Sequence, residues 1–221
     1  MKRIAFYRTI LWAGVFIMVV TLLVSSCIRL ARVTHSLNYG EIPAVGTIDI
    51  GYVQNPVLTF LHILPGCFFM LSGAWQFIRP IRNRLIHVHR WNGRIYIVLG
   101  LVIGITGIAM GIKLSFGGMA EASASIVFGL FFLYALLKAY WCIRRKQFTL
   151  HREWMIRAYS IGLAVATIRP LTGLFFSFTA IPFHTFFGIS FWIAFILNVG
   201  IAEIWIRYTR SGSGKKMKSL S

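Results

Sequence analysis

The sequence has few cysteines and lacks the short motifs of the common soluble enzymes. Its three cysteines, Cys27, Cys67 and Cys142, each lie inside an apolar run and show neither CxxC nor CxxCH spacing. A zinc site, an iron–sulfur cluster and a covalently attached haem are therefore not indicated. No Walker, Rossmann or nucleophile-elbow pattern occurs in a suitable context, which argues against a catalytic site of the soluble type.

Charged residues are also scarce. They make up 13% of the 221 residues, whereas 57% are hydrophobic, and the mean hydropathy is +0.74. No soluble domain of this size needs so much apolar surface, so the composition predicts a polytopic membrane protein. The formal net charge of +18 would suggest a nucleic-acid partner in a soluble protein. Here the basic residues cluster between apolar runs, so they indicate membrane topology and no nucleic acid is expected.

Six stretches are apolar enough and long enough, at about 20 residues, to cross a bilayer. They cover approximately residues 10–30, 56–78, 95–112, 123–143, 157–178 and 184–206. The predicted fold class is therefore all-α, a membrane bundle of six transmembrane helices. The predicted organisation is a first transmembrane helix at 1–30, an outer loop at 31–54, a five-helix membrane core at 55–207 and a basic flexible tail at 208–221.

Two features of individual spans affect this prediction. The first span has a basic start and a segment before Cys27 that loosely resembles a lipoprotein cleavage site, but its long apolar stretch favours a retained helix over a signal peptide. The third span carries glycines at spacings of three and four, which predict close approach of a neighbouring helix. These glycines are Gly100, Gly104, Gly107 and Gly111.

The distribution of lysine and arginine predicts the orientation. Of the 23 basic residues, 18 lie at the N-terminus, in the second and fourth connections and in the C-terminal tail. By the positive-inside rule both termini face the cytoplasm, in agreement with an even number of spans. The predicted location is the cell inner (cytoplasmic) membrane, crossed several times, with anionic lipids as partners of the basic cytoplasmic face.

Two related stretches lie at this predicted cytoplasmic face. Both begin with His-Arg, contain a tryptophan and reach Arg-x-Tyr, one at residues 89–96 and the other at residues 151–159. They supply His89 and Arg94, and His151 and Arg157, as an inner set of candidate ligand-binding residues. Both stretches lead directly into an apolar segment.

A second set of polar residues is expected within the outer half of the membrane, where such residues are costly and often functional. His62 lies about 9 Å along its helix from the outer end, and Arg169 about 13 Å from the outer end of its own, at a rise of 1.5 Å per residue. His184 begins the sixth span. No carboxylate is expected at this level, so Arg169 requires backbone carbonyls or an anionic ligand. We expect these three residues to line one cavity, widened by a kink near Pro170.

Two interpretations of these residues remain open. In the first, His89 with His151 and His62 with His184 are the axial iron ligands of two b-type haems, and the arginines neutralise the propionates. The chain would then be a transmembrane oxidoreductase that passes electrons to or from an unidentified redox partner. In the second, the chain is a redox-silent transporter or partner subunit whose histidines and arginines bind an anionic ligand or lipid.

Four motifs together resemble a bacterial integral-membrane family designated domain of unknown function 2306 (DUF2306). They are His62-x-x-Pro65-Gly66, Gly73-x-x-Gln76-Phe77, His89-Arg90-x-x-Gly93-Arg94-x-Tyr96 and His151-x-x-Trp154-Met155-x-Arg157-x-Tyr159. The resemblance covers about residues 55–205 and implies a membrane protein without a settled activity. More distantly, histidines on successive helices are similar to the two-haem cytochrome b and ferric-reductase-like superfamily, which would imply haem b as cofactor.

Overall fold

The computed structural model describes residues 2–178 and 181–218, and within these it contains eight helices. They are α1 (Lys2–Tyr39), α2 (Ile48–Gln54), α3 (Pro56–Gln76), α4 (Arg79–Arg84), α5 (Ile86–Lys113), α6 (Gly118–Arg144), α7 (Phe148–Phe178) and α8 (Phe183–Lys218). All except α2 and α4 are long and apolar enough to cross a membrane. The prediction of an all-α bundle with six membrane spans is confirmed.

The short connections give the bundle two distinct ends. Helix α2, the connection from α5 to α6, the end of α7 and the start of α8 lie at one end, which we call the α2 end. Helix α4, the connection from α6 to α7 and both termini lie at the other, which we call the termini end. Six crossings of the bilayer return the chain to the face on which it began.

The helices extend beyond the apolar windows in the sequence. Helix α1 continues to Tyr39, into the predicted outer loop, where Gly40 with φ of 69° ends it. Helix α8 continues to Lys218, through most of the predicted flexible tail. Helices α5 and α7 begin before residues 95 and 157, so both candidate inner histidines lie in the first turns of helices. Hydropathy marks the part of a helix that fits hydrocarbon, whereas its ends depend on backbone hydrogen bonds and caps.

Helix α7 is the central helix, and α1 is peripheral. Within the most apolar windows, 56% of the α7 residues are buried, compared with 11% for α1. Helix α7 packs against α6 and α8, and α5 packs against α3 and α6. Helix α7 also continues through Pro170, near the α2 end.

The two predicted His-Arg stretches meet on the same part of α3. The ring of Tyr96 from α5 stacks on Phe69 at 4.1 Å between centroids, and the hydroxyl of Tyr159 from α7 donates to the carbonyl of Met70 at 3.0 Å. Gly73 of α3 makes room for both tyrosines, because a Cβ there would collide with their rings. A glycine on α3 therefore allows α5 and α7 to pack around one helix.

The glycines of α5 serve the close helix approach that the sequence predicted. Gly100, Gly104 and Gly111 face side chains of α6 so closely that a Cβ would collide with them. Gly107 differs, because it faces the ring of His62 on α3. It thereby leaves space for an imidazole inside the bundle.

Candidate ligand-binding site

A cavity of about 230 Å³ lies inside the bundle and extends from the α2 end toward the middle of the membrane. Its deeper part is apolar and includes Met70, Ile103, Phe132 and Phe195. Its ionisable lining residues come from five helices and are Arg29, Tyr52, His62, Glu121 and Arg169. The cavity is therefore amphipathic, with an apolar floor and charged groups nearer the α2 end.

Arg169 reaches this cavity from α7. Its Nη1 donates to the carbonyl oxygen of Val165, one turn earlier, at 3.2 Å. Among the described residues Arg169 forms no ion pair. A guanidinium has five N–H donors in a planar fork, so most of its binding capacity remains available to a ligand.

Arg29 reaches the same cavity from α1. It forms an ion pair with Asp49 of α2, and its guanidinium carbon lies 4.3 Å from the centroid of the Tyr52 ring. Asp49 also accepts a hydrogen bond from Arg32 at 3.0 Å. One carboxylate thus pairs with two arginines, of which Arg29 lines the cavity and Arg32 is exposed outside it.

Tyr52 lies between these charged groups. Burial raises the pKa of its hydroxyl, Arg29 and Arg169 act to lower it, and Glu121 acts to raise it further. The Tyr52 hydroxyl therefore interacts electrostatically with two arginines and one carboxylate. The neutral phenol can donate one hydrogen bond to a ligand oxygen.

His62 of α3 lines the cavity, and its contact with Thr106 defines which ring nitrogen carries the proton. Its Nδ1 lies 3.0 Å from Oγ1 of Thr106, and that hydroxyl donates its own proton to the carbonyl of Val102 at 2.7 Å. The hydroxyl therefore accepts from His62, which requires the proton to be on Nδ1. In the neutral ring Nε2 then carries the lone pair, with which it can accept a hydrogen bond.

Glu121 also lines the cavity, although it was not predicted from the sequence. We expected no carboxylate at the level of Arg169, but Glu121 lies in the first turns of α6, is 8% exposed and lines the same cavity. One carboxylate oxygen accepts a hydrogen bond from the backbone N–H of Gly117 at 2.7 Å. The expectation was wrong because α6 begins at Gly118, five residues before the predicted span.

Arg29 and Tyr52 were also absent from the predicted site. Arg29 lies at the end of an apolar run, and Tyr52 lies in the segment predicted as an outer loop. The sequence signal for Arg29 and Glu121 was present, since both are ionisable residues beside apolar windows. No comparable signal marks Tyr52, because its position depends on how α2 packs.

Of the predicted outer set, His62 and Arg169 line the cavity and His184 does not. His184 lies exposed at the start of α8. The first turn of α8 places Phe186 and Phe187 against the bundle, and His184 therefore lies on the opposite, exposed side of the helix. Two of the three residues expected to share a cavity thus line the same one, and the third lies elsewhere.

The predicted inner set lies at the termini end and is used in contacts between helices. Arg157 donates two hydrogen bonds to Glu203 of α8, at 2.5 and 3.0 Å, and Arg94 lies over the ring of Trp91 at 4.9 Å. Nδ1 of His151 lies 2.9 Å from the carbonyl of Ala139, to which it donates. The backbone carbonyl of His89 accepts from the side chain of Gln76 at 3.0 Å.

These positions do not support the predicted haem sites. In the described parts of the chain, no three His, Cys, Asp or Glu residues are grouped as a metal site. Among the described residues, no histidine lines a second, apolar cavity between α1, α3 and α5, and His62 is the only histidine that lines the first. Neither cavity therefore brings together two of the four candidate iron ligands.

Comparison with known proteins identifies the family. The model of the family described as "Predicted membrane protein (DUF2306)" matches residues 59–206, two thirds of the chain. No curated protein and no solved structure shows a match, and the distant similarity to cytochrome b finds no support. The matched segment contains His62, Glu121 and Arg169, whereas Arg29 and Tyr52 precede it. The chain thus belongs to the DUF2306 family of integral membrane proteins.

Proposed function

We propose that this protein binds a small organic anion, an acidic group on a short apolar chain, in the cavity at the α2 end. The acidic group lies between Arg29, Arg169 and Tyr52, and the apolar chain extends toward Phe132. The observation that carries the proposal is that Arg169 lines a cavity in the membrane without an ion pair among the described residues.

The energetic argument concerns the cost of a charge at this depth. An arginine within the membrane costs about 2.5–3.5 kcal/mol on the insertion scale, so it requires a compensating group. Val165 provides a single carbonyl oxygen. An anionic oxygen in the cavity can receive the remaining guanidinium donors in a charge-assisted, bidentate arrangement.

The size of the cavity limits the ligand. Its volume of about 230 Å³ is below the roughly 300–1,000 Å³ of typical drug-binding pockets. The ligand is therefore smaller than a haem or a whole phospholipid, although the acidic head of a lipid with part of one chain can enter. His62 offers a second polar contact, because Nε2 can accept a hydrogen bond from a hydroxyl or N–H on the ligand.

The proposed setting is the inner membrane, with the termini end in the cytoplasm. The support is the concentration of basic residues at that end. Arg145 lies over the ring of Trp141 at 4.6 Å, an arrangement suited to the headgroup region of a membrane. We expect anionic lipids to surround this end of the bundle.

Binding of hexyl sulfate to the protein in phosphatidylcholine nanodiscs tests the proposal. Calorimetry should show saturable binding of hexyl sulfate but not of 1-hexanol, which has the same chain without the charge. Arg169→Leu should weaken binding by about 10- to 100-fold, because charge-assisted hydrogen bonds contribute about 1.5–3 kcal/mol. Arg169→Lys should weaken it less, because the charge remains while the planar fork is lost.

Arg145→Leu is the matched control, since it removes an arginine from the termini end and should leave binding intact. Nanodiscs with added phosphatidylglycerol distinguish the source of the ligand. Competition with hexyl sulfate indicates a lipid headgroup, and its absence indicates a free organic anion. Equal binding by the wild-type and Arg169→Leu proteins would contradict the proposed site.

A further inference from the structure

Glu121 is the one ionisable residue of the cavity whose charge opposes an anionic ligand. It reaches the cavity from α6 and is 8% exposed. Its carboxylate is held by the backbone of Gly117 and, in the described parts of the chain, forms no ion pair. A carboxylate so placed caps the start of α6, but that role requires only an acceptor oxygen and does not require a negative charge.

The charges around the cavity balance before a ligand arrives. Arg29 and Arg169 carry two positive charges, and Asp49 and Glu121 carry two negative charges. Arg32, which shares Asp49, is 63% exposed outside the cavity, so solvent screens its charge. A bound anion therefore adds one uncompensated negative charge inside the membrane, where such a charge is costly. Protonation of one carboxylate restores the balance.

We propose, on the basis of the proposed anion site, that each bound anion is accompanied by one proton taken up by the carboxylate of Glu121. The proton comes from the solvent at the α2 end and forms an O–H bond on Glu121. Release of the anion returns the proton by the reverse step, so no other reactant is consumed. The cavity thus takes up an anion and a proton as a neutral pair.

The other groups that face Glu121 are poorer proton acceptors. Arg29 of α1 and Arg169 of α7 are permanently protonated, and Tyr52 of α2 is already a neutral phenol. Asp49 of α2 is held as an anion by two arginines. His62 of α3 is the competitor, because its Nε2 can take a proton, while α5 and α8 contribute no ionisable residue to the cavity.

The proposal predicts how affinity depends on pH. When Glu121 is protonated in the free protein, affinity does not change with pH. At higher pH each binding event must first take a proton from solution, so the affinity falls up to about tenfold for each unit. The fall ends at the pH where the carboxyl group loses its proton even in the complex.

Calorimetry with hexyl sulfate in nanodiscs measures the proton directly. The sulfate does not titrate in this range, so any proton taken up must go to the protein. Titrations in Hepes and Tris, whose ionisation enthalpies differ, give the number of protons per ligand. At a pH within the range where the affinity falls, we expect close to one for the wild type and close to zero for Glu121→Gln, whose amide oxygen can still accept from Gly117.

His62→Gln provides the comparison, and it should still take up about one proton. If His62→Gln abolishes the uptake and Glu121→Gln does not, the proton goes to His62 and the inference is overturned. Wild-type protein that binds hexyl sulfate with no proton uptake at any pH also overturns it, but leaves the proposed function standing. Failure of the wild type to bind hexyl sulfate at any pH overturns the proposed function itself.

Discussion

Arg157 and Glu203 form two parallel hydrogen bonds that join α7 to α8 near the termini end. The pair is only partly exposed, at 15% and 33% of the two side chains. The Arg157 guanidinium also lies over the ring of Trp154 at 4.5 Å. A residue that the sequence suggested for a propionate or a lipid phosphate therefore serves to connect two membrane helices.

Removal of this carboxylate should destabilise the bundle. Glu203→Ala leaves the Arg157 guanidinium without its partner in a partly buried position, and we expect a loss of about 1–3 kcal/mol in the free energy of unfolding. Unfolding by denaturant in micelles measures the change. Glu41→Ala is the control, because Glu41 is 71% exposed and its contact with His35, at 3.5 Å, contributes little. Equal losses for the two variants would contradict this role of the pair.

The protonation pattern of His62 gives a spectroscopic prediction. Since Thr106 donates its hydroxyl proton to Val102, the neutral imidazole should carry its proton on Nδ1. Nitrogen NMR of protein labelled at histidine distinguishes the two forms. Thr106→Val removes the acceptor and should allow both tautomers, whereas a wild-type ring protonated on Nε2 would refute the assigned direction of the bond.

Gly73 should not tolerate a side chain. A methyl group at this position would collide with the rings of Tyr96 and Tyr159, so Gly73→Ala should cost about 1–3 kcal/mol of stability through overpacking. Gly66→Ala on the same helix is the control, because open space surrounds that position and alanine favours the helix. Thermal unfolding in detergent compares the two, and a stable Gly73→Ala protein would show that the tyrosines can move apart at low cost.

The orientation of the bundle follows from its basic residues. Reporter fusions after residues 85, 118, 148 and 181 should report inside, outside, inside and outside, because the basic connections remain in the cytoplasm. A fusion at 148, beside Lys146, is the most informative. A periplasmic signal there would mean the opposite orientation and would place the proposed anion site at the cytoplasmic face.

The absorption spectrum separates anion binding from haem-based electron transfer. We expect purified protein to lack a Soret band, since neither cavity brings two of the candidate histidines together. Apomyoglobin mixed with the same haem preparation serves as a positive control for a Soret band. A Soret band that is lost in His62→Ala would instead support the haem interpretation.

The membrane class, the number of spans and the family could all be predicted from the sequence. Each span is a continuous apolar run of about 20 residues, so it can be recognised without knowing which helices pack against it. The motifs that resemble the family are also local, because their histidines, arginines and tyrosines lie within a few residues of one another in the sequence. Even the depth of His62 and Arg169 could be calculated, because the rise per residue of a helix is constant.

Which of these residues share a site depends on how the helices pack, and this could not be predicted from the sequence. Arg29, Tyr52 and Glu121 join Arg169 because four different helices turn those residues toward one cavity, while His184 is turned away by its place at the start of α8. The rotation of each helix depends on packing against its neighbours, as where Gly73 admits Tyr96 and Tyr159. Hydropathy carries no information about this rotation, since α5 and α6 are apolar on nearly every face.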